Sequence, residues 1–226
     1  MATDGIVLVH GGLHTSACWE LVLPHLETPA CAVDLPGRGT RPADLATVTL
    51  GDCVAAVIDA ADAAGFGRFA LAGHSLGGVT VTETAFRHAD RVSHLVYVAA
   101  IIPGVGANAA SFFTDQDVRE MPKPDEARAR PFFCNDLTDE QWVHHRAQLV
   151  PDAPGIMNGR ISGHASGIPA TYVNMTHDVP IPPDLADRMV ANLGPGVVRH
   201  TLDGGHTVMV ARPRVLAAII DDAVAR

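Results

Sequence analysis

The stretch Phe69-Ala-Leu-Ala-Gly-His-Ser-Leu-Gly-Gly78 carries the spacing G-x-S-x-G at Gly73, Ser75 and Gly77, behind strand-forming residues and ahead of a run with helical spacing. A sharp turn from strand to helix holds such a serine in a strained backbone conformation with its hydroxyl clear of the sheet. Flanking glycines remove the side chains that would collide there. The helix that follows directs its N-terminal amides at any negative charge developing beside the turn. A glycine turn with an idle serine is the bland reading, and the strand-before, helix-after context weighs against it. The chemistry indicated is nucleophilic attack by the Ser75 hydroxyl.

A serine hydroxyl is a weak nucleophile unless a base takes its proton, and the base needs an acceptor that holds it in the right tautomer. The chain has twelve histidines. His25, His88, His94, His144, His145, His164 and His200 fall on expected helices, strands or the middle segment, where a packed or solvated ring is the simpler reading. His206 lies instead in Leu202-Asp-Gly-Gly-His-Thr207, a loop leaving the last expected strand. Strand ends on one side of a parallel sheet are where such sites assemble, and the two glycines are expected to let the loop approach the serine turn. The orienting acid should lie between serine and histidine along the chain. Asp178, in Tyr172-Val-Asn-Met-Thr-His-Asp-Val-Pro-Ile-Pro182, follows the penultimate expected strand and so emerges at the same edge. Asp203 is too near His206 in sequence, Asp152 belongs to the middle segment, and His177 reads as a neighbour of Asp178. The turn Val9-His10-Gly11-Gly12-Leu13-His14 places small residues where backbone amides can face a carbonyl oxygen, and the amides expected to do so are those of Gly12 and Leu76. A metal site from His10 and His14 is not expected, because a glycine turn offers neither helical spacing nor a third ligand.

Elements must bring these residues together. Short runs rich in β-branched residues at Gly5–Val9, Ala30–Asp34, Phe69–Ala72, Leu95–Val98, Ala170–Val173 and Val197–Leu202 predict six strands, and continuous apolar runs of this kind suit strands covered on both faces. Helical spacing runs over Leu50–Ala64, Leu76–His88, Pro183–Asn192 and Arg214–Ala225. Alternation of this kind predicts a mainly parallel sheet between layers of helices. From Pro103 to about Ile168 no core strand is visible, and so long a structureless loop is improbable inside a compact domain. The segment is expected to form a helical cap, with Thr138-Asp-Glu-Gln141 as a capping box opening a helix to about Leu149. The expected organisation is an α/β core of residues 1–102 and 169–226 with a cap of residues 103–168 inserted in it. Phe112, Phe113, Met121, Phe132, Phe133, Trp142 and Met157 supply apolar surface in that cap for lining a pocket, and His14 is a further candidate contact.

At 226 residues, with 47% hydrophobic and 18% charged residues, the chain can bury a sizeable core as one large domain. Sixteen basic against 25 acidic residues leave a net charge of −9. Without a basic cluster, nucleic acid and anionic membranes are poor partners. The N-terminus shows no basic region ahead of an apolar one, and the apolar run Leu95–Ile102 is too short to span a bilayer. Cys18, Cys31, Cys53 and Cys134 are isolated, so they read as reduced thiols of a cytoplasmic protein.

These landmarks resemble the α/β-hydrolase superfamily: VHGG at the start, DLPGRG at Asp34 to Gly39, GHSLGG around Ser75, the Asp178 loop and GGHTVM around His206, in order and across most of the chain outside the cap. VHGGLHTSACW together with the Asp178 and His206 pieces is similar to the compact group of methyl-ester esterases and hydroxynitrile lyases. Lyase members usually carry a threonine after the first histidine and a lysine after the catalytic one. Gly11 and Thr207 stand there, so the resemblance implies the esterase branch. With the apolar residues of the cap, the expected reaction is hydrolysis of a small to medium hydrophobic ester or thioester through Ser75, His206 and Asp178, with no cofactor and no metal. Two alternatives stay open: a lyase, cyclase or carbon–carbon hydrolase on the same fold, and a receptor-like binding protein with a slow triad. A homodimer also stays open.

Overall fold

The computed structural model describes residues 3–113 and 126–226, so Met121 lies outside the described residues. Strands β1 (Gly5–Val9), β2 (Ala30–Val33), β3 (Phe69–His74), β4 (Val92–Val98), β5 (Ala170–Met175) and β6 (Val198–Leu202) form one six-stranded sheet in the order β2-β1-β3-β4-β5-β6. Every neighbouring pair is parallel. The expected α/β architecture is therefore the observed one. Among the described residues the α-helices are α1 (Leu50–Ala63), α2 (Gly77–Arg87), α3 (Glu126–Phe133), α4 (Asp139–Ala147), α5 (Pro154–Asn158), α6 (Pro183–Ala191), α7 (Val208–Ala211) and α8 (Pro213–Val224).

Side chains alternate across a strand, which divides the core into two layers. Val7, Val9, Phe69, Leu71, Leu95 and Tyr97 pack with α1, α2 and α6 on one face. Ile6, Leu8, Ala70, Ala72, Val96 and Val98 pack on the other with Trp19 and with Leu216, Ala217 and Ile220 of α8. Strands β1, β3, β4 and β5 are buried throughout, as continuous apolar runs lead one to expect. β2 and β6 are not. They lie at the two edges of the sheet, where only part of each strand is covered.

Strand order turns between β1 and β3: from β1 the chain goes outward to β2, and from β3 it proceeds the other way. The carboxyl ends of strands flanking such a reversal open a crevice. The His10–Leu13 turn and the Ser75 turn leave β1 and β3 at that point. Asp178 follows β5 and His206 follows β6 on the same edge.

Between β4 and β5, the described residues hold α3, α4 and α5 and no strand. Thr138 caps α4 with the reciprocal Thr138–Gln141 bonds of a capping box, and the helix ends at Ala147, two residues short of the expected Leu149. Helix α3 escapes the sequence pattern because Pro131 sits inside it, and α5 is a single short turn behind Pro154. This segment is tied down at several points. Val150 N–H donates to the Leu13 carbonyl (2.9 Å), and Ser162 N–H and Oγ–H donate to Glu83 of α2 (2.8 and 2.7 Å). Trp142, Leu137 and Ala129 join the α8 side of the core. Among the described residues, no helix is long and apolar enough to cross a membrane.

Candidate active site

Ser75 adopts φ +49°, a left-handed conformation that non-glycine residues rarely take. Its amide donates to the Val98 carbonyl (3.1 Å), and its carbonyl accepts the Gly78 and Ile101 amides (3.0 and 2.9 Å), so bonds on both sides hold the strain in place. The glycines are demanded by contact. A β-carbon on Gly77 would lie 2.6 Å from the His10 carbonyl oxygen and 2.8 Å from that of Val9, and one on Gly73 would lie 2.6 Å from Val81.

His206 Nε2 lies 2.9 Å from Ser75 Oγ, and its Nδ1 lies 2.9 and 3.1 Å from the two oxygens of Asp178. Asp178 Oδ1 also accepts the Ile181 N–H at 2.8 Å, which fixes the carboxylate as an acceptor. Contacts from elsewhere in the chain hold the His206 loop. Its carbonyl accepts the His74 ring Nε2–H (3.0 Å), Gly205 N–H donates to Asp136 (2.8 Å), and Thr207 Oγ–H donates to the Phe133 carbonyl (2.7 Å). A β-carbon on Gly205 would lie 2.2 Å from Asn135 Oδ1, and one on Gly204 would lie 3.3 Å from Asp136, so the two glycines before His206 also admit the Asn135–Asp136 turn.

The turn after β1 is fixed by His10. The Leu35 N–H donates to its Nε2 (3.2 Å), so the ring hydrogen sits on Nδ1 and is donated to the Gly11 carbonyl (2.8 Å). A trans peptide points its N–H opposite to its carbonyl, so pinning the Gly11 oxygen also sets the direction of the Gly12 amide. Both ring nitrogens of His10 are engaged, and burial lowers its pKa to about 4, which keeps the ring neutral. Burial also holds His74 well below the usual histidine range, with the neighbouring His206 adding to the effect. Gly12 and Leu76 both border the cavity above Ser75, and neither amide donates to a protein group among the described residues.

Residues 6–219 match the family model described as the alpha/beta hydrolase family. The chain belongs to that family. Among known members it is 27% identical to a pyrethroid hydrolase of Sphingobium wenxiniae over 98% of this chain and 88% of the relative. It is 25% identical to methylesterase 7 of Arabidopsis thaliana over 95% of this chain and 94% of the relative. A solved extracellular alpha/beta-hydrolase from a Paenibacillus species superposes with a TM-score of 0.85 at 20% identity, covering 97% of this chain and 98% of that one, a likeness of fold.

Over the triad of side chains this alpha/beta hydrolase encloses a cavity of about 330 Å³ that reaches Ser75 and His206. Of the apolar residues expected to line a pocket, Phe113, Phe132, Phe133, Trp142 and Met157 do so, and His14 joins them. Phe112 does not. It ends a short 3₁₀ turn (Ala109–Phe112) and packs against the α1–α2 side of the core. His145, expected to be packed or solvated, lines the cavity with its Nε2 3.1 Å from His14 Nε2. Burial lowers His145 to about 4 and, together with His145 itself, holds His14 well below the usual range, so the pair is neutral. Asp152, Ile181 and Cys134 also line the cavity. No spacing in the sequence marks them, because each reaches the cavity from a loop or helix whose placement depends on tertiary packing.

Proposed function

We propose that this chain is a serine hydrolase that cleaves small to medium hydrophobic carboxylic esters or thioesters through an acyl-enzyme. The observation that carries the reading is the unbroken line of hydrogen bonds from Ser75 Oγ through the His206 ring to Asp178, with the serine at the floor of a largely apolar cavity. The membership of relatives named as hydrolases and esterases supports it.

In this reading Asp178 accepts the Nδ1 hydrogen of His206, which leaves the Nε2 lone pair facing the Ser75 hydroxyl. His206 removes that proton as Ser75 Oγ attacks the ester carbonyl carbon, and the amides of Gly12 and Leu76 donate to the developing oxyanion. The imidazolium returns its proton to the leaving alcohol. A water then enters, is deprotonated by the same Nε2, and releases the acid from Ser75. The histidine ring stays in register with both partners because its loop is held from three sides. The residues between β4 and β5 act as a cap: Phe113, Phe132, Phe133, Trp142 and Met157 exclude water from the acyl group, and a cavity near the lower end of small-molecule sites favours compact substrates. Nothing in the triad asks for a cofactor. The Thr207 hydroxyl donates to the Phe133 carbonyl, which ties the His206 loop to the end of α3.

The test pairs turnover with labelling. Purified protein should hydrolyse p-nitrophenyl butyrate and take up a fluorophosphonate probe on the peptide containing Ser75. Ser75→Ala should lose the label and lower turnover by about 10⁴-fold or more. Turnover that survives the substitution would remove Ser75 from the reaction.

A further inference from the structure

The triad makes no use of a charged pair of which one member, Asp152, borders the cavity. Arg38, in the Asp34-to-Gly39 turn after β2, is fully enclosed, with 0% of its side chain exposed. That turn is wound on Asp34, whose Oδ1 accepts the Ser16 N–H (2.7 Å) and whose Oδ2 accepts the Thr40 N–H (2.8 Å). The Arg38 guanidinium forms an ion pair with Asp152 Oδ1, from the loop between α4 and α5. Burial pulls Arg38 down to about 10, so it remains charged near neutral pH.

Asp152 is held as firmly. Val150 N–H donates to the Leu13 carbonyl (2.9 Å), Ala153 N–H donates to Asp152 Oδ1 (3.0 Å), and a β-carbon on Gly155 would lie 2.0 Å from the Val48 carbonyl oxygen. Both fixed contacts fall on one oxygen. Asp152 Oδ2 has no hydrogen-bond partner among the described residues, and a β-carbon on Gly12, which lines the cavity, would lie 2.6 Å from it. An ion pair beneath an apolar cavity is a poor device for stability, because desolvating two charges offsets most of their attraction. What it provides here is an oriented, acceptor-only oxygen beside the amide expected to meet the substrate's carbonyl.

We propose that Asp152 Oδ2 is a specificity-determining acceptor that takes a hydroxyl of the substrate close to the scissile carbonyl, with Arg38 holding the carboxylate in place. The proposal rests on the ester-hydrolase reading above. A neutral donor fits better than a cation, because Arg38 already balances the Asp152 charge and no other carboxylate is among the described cavity-lining residues. A substrate carboxylate is disfavoured, since it brings a second acceptor to an acceptor. A site that hydrogen-bonds a hydroxyl discriminates against an analogue lacking it, because an acceptor that the bound substrate shuts off from water is then left unpaired.

The experiment compares matched esters with and without the hydroxyl. Methyl mandelate against methyl phenylacetate places it on the acyl side, and 2-hydroxyethyl against propyl phenylacetate places it on the alcohol side. For at least one pair, wild type should favour the hydroxylated ester in kcat/KM by about tenfold or more. The charge-neutral double variant Arg38→Met/Asp152→Leu should abolish that preference, and the nearly isosteric Asp152→Asn, which keeps the shape of the loop, should reduce it at least threefold. Comparing ratios between proteins cancels the intrinsic reactivity of each ester. Affinities of the same four esters for Ser75→Ala, measured by calorimetry, read the contact without chemistry. Ratios within twofold for both pairs in turnover and in binding, or a preference unchanged in the variants, would overturn the proposal. If wild type cleaves no ester and Ser75 takes no label, the ester-hydrolase reading fails, and the calorimetric ratios still decide whether Asp152 selects a hydroxyl.

Discussion

Asp178 stands between two donors, the Ile181 amide at its Oδ1 and the His206 ring, and this arrangement makes its replacement informative. An asparagine at this position keeps its own oxygen for the Ile181 N–H and so turns its NH₂ toward His206 Nδ1. The ring must then carry its hydrogen on Nε2, where it can no longer accept the Ser75 proton. Asp178→Asn is expected to lower kcat by about 10⁴-fold. The melting temperature should change by only a few degrees, because the side chain's volume and its bond to Ile181 persist. A near-native rate in a p-nitrophenyl ester assay would assign the orienting role elsewhere. At this scale the sequence was legible where chemistry imposes order along the chain. Ser75, Asp178 and His206 stand out because turn, loop and strand end each have a reason to hold them. His145 and Asp152 gave no such sign, since a histidine on a solvated-looking helix and an aspartate in a loop become cavity residues only once α3, α4 and α5 are docked on the core.

The elements around the site depend on glycines for two different reasons, and substitutions should separate them. At Gly65, after α1, the backbone has φ +75° and no atom lies within 4 Å of an added β-carbon. Gly65→Ala therefore meets only backbone strain and should cost about 1 kcal/mol in a denaturant titration. At Gly77 the added carbon would press on the backbone carbonyls of Val9 and His10, which belong to the strand and turn that position the Gly12 amide. Gly77→Ala should cost about 3 kcal/mol or more, and should impair turnover in whatever protein folds. Strands were the most legible elements, because β1, β3, β4 and β5 are covered on both faces and carry unbroken apolar runs. The edge strands β2 and β6 obey that rule only in part. Helix α3 was hidden by Pro131, and α5 and α7 are too short for any periodicity to show. Phe112 illustrates the same limit: an aromatic residue in the right segment faces the core rather than the cavity because a 3₁₀ turn sets its direction.

The molecule as a whole buries neutral histidines, and this couples its stability to acid. His10 and His145 are each lowered from 6.5 to about 4, in both cases first by burial. The unfolded chain takes up protons at these rings as the pH falls through about 6.5, while the folded chain resists until about 4. Stability is therefore complete above 6.5 and declines across that window, by on the order of 3 kcal/mol for each of the two rings. Thermal melts followed by circular dichroism should show a nearly constant midpoint above pH 7 and a steep fall between pH 6 and 4. A flat midpoint over that range would mean the rings are not held neutral. The distance of 131 positions along the chain from Ser75 to His206 carries a different consequence. With His206 as the proposed base, a nascent chain carries its serine long before β6 has been synthesised, and the imidazole comes within reach only once that last strand pairs with β5. On that reading reactivity arrives only with completed folding, and a polypeptide truncated ahead of His206 keeps an ordinary, unactivated hydroxyl.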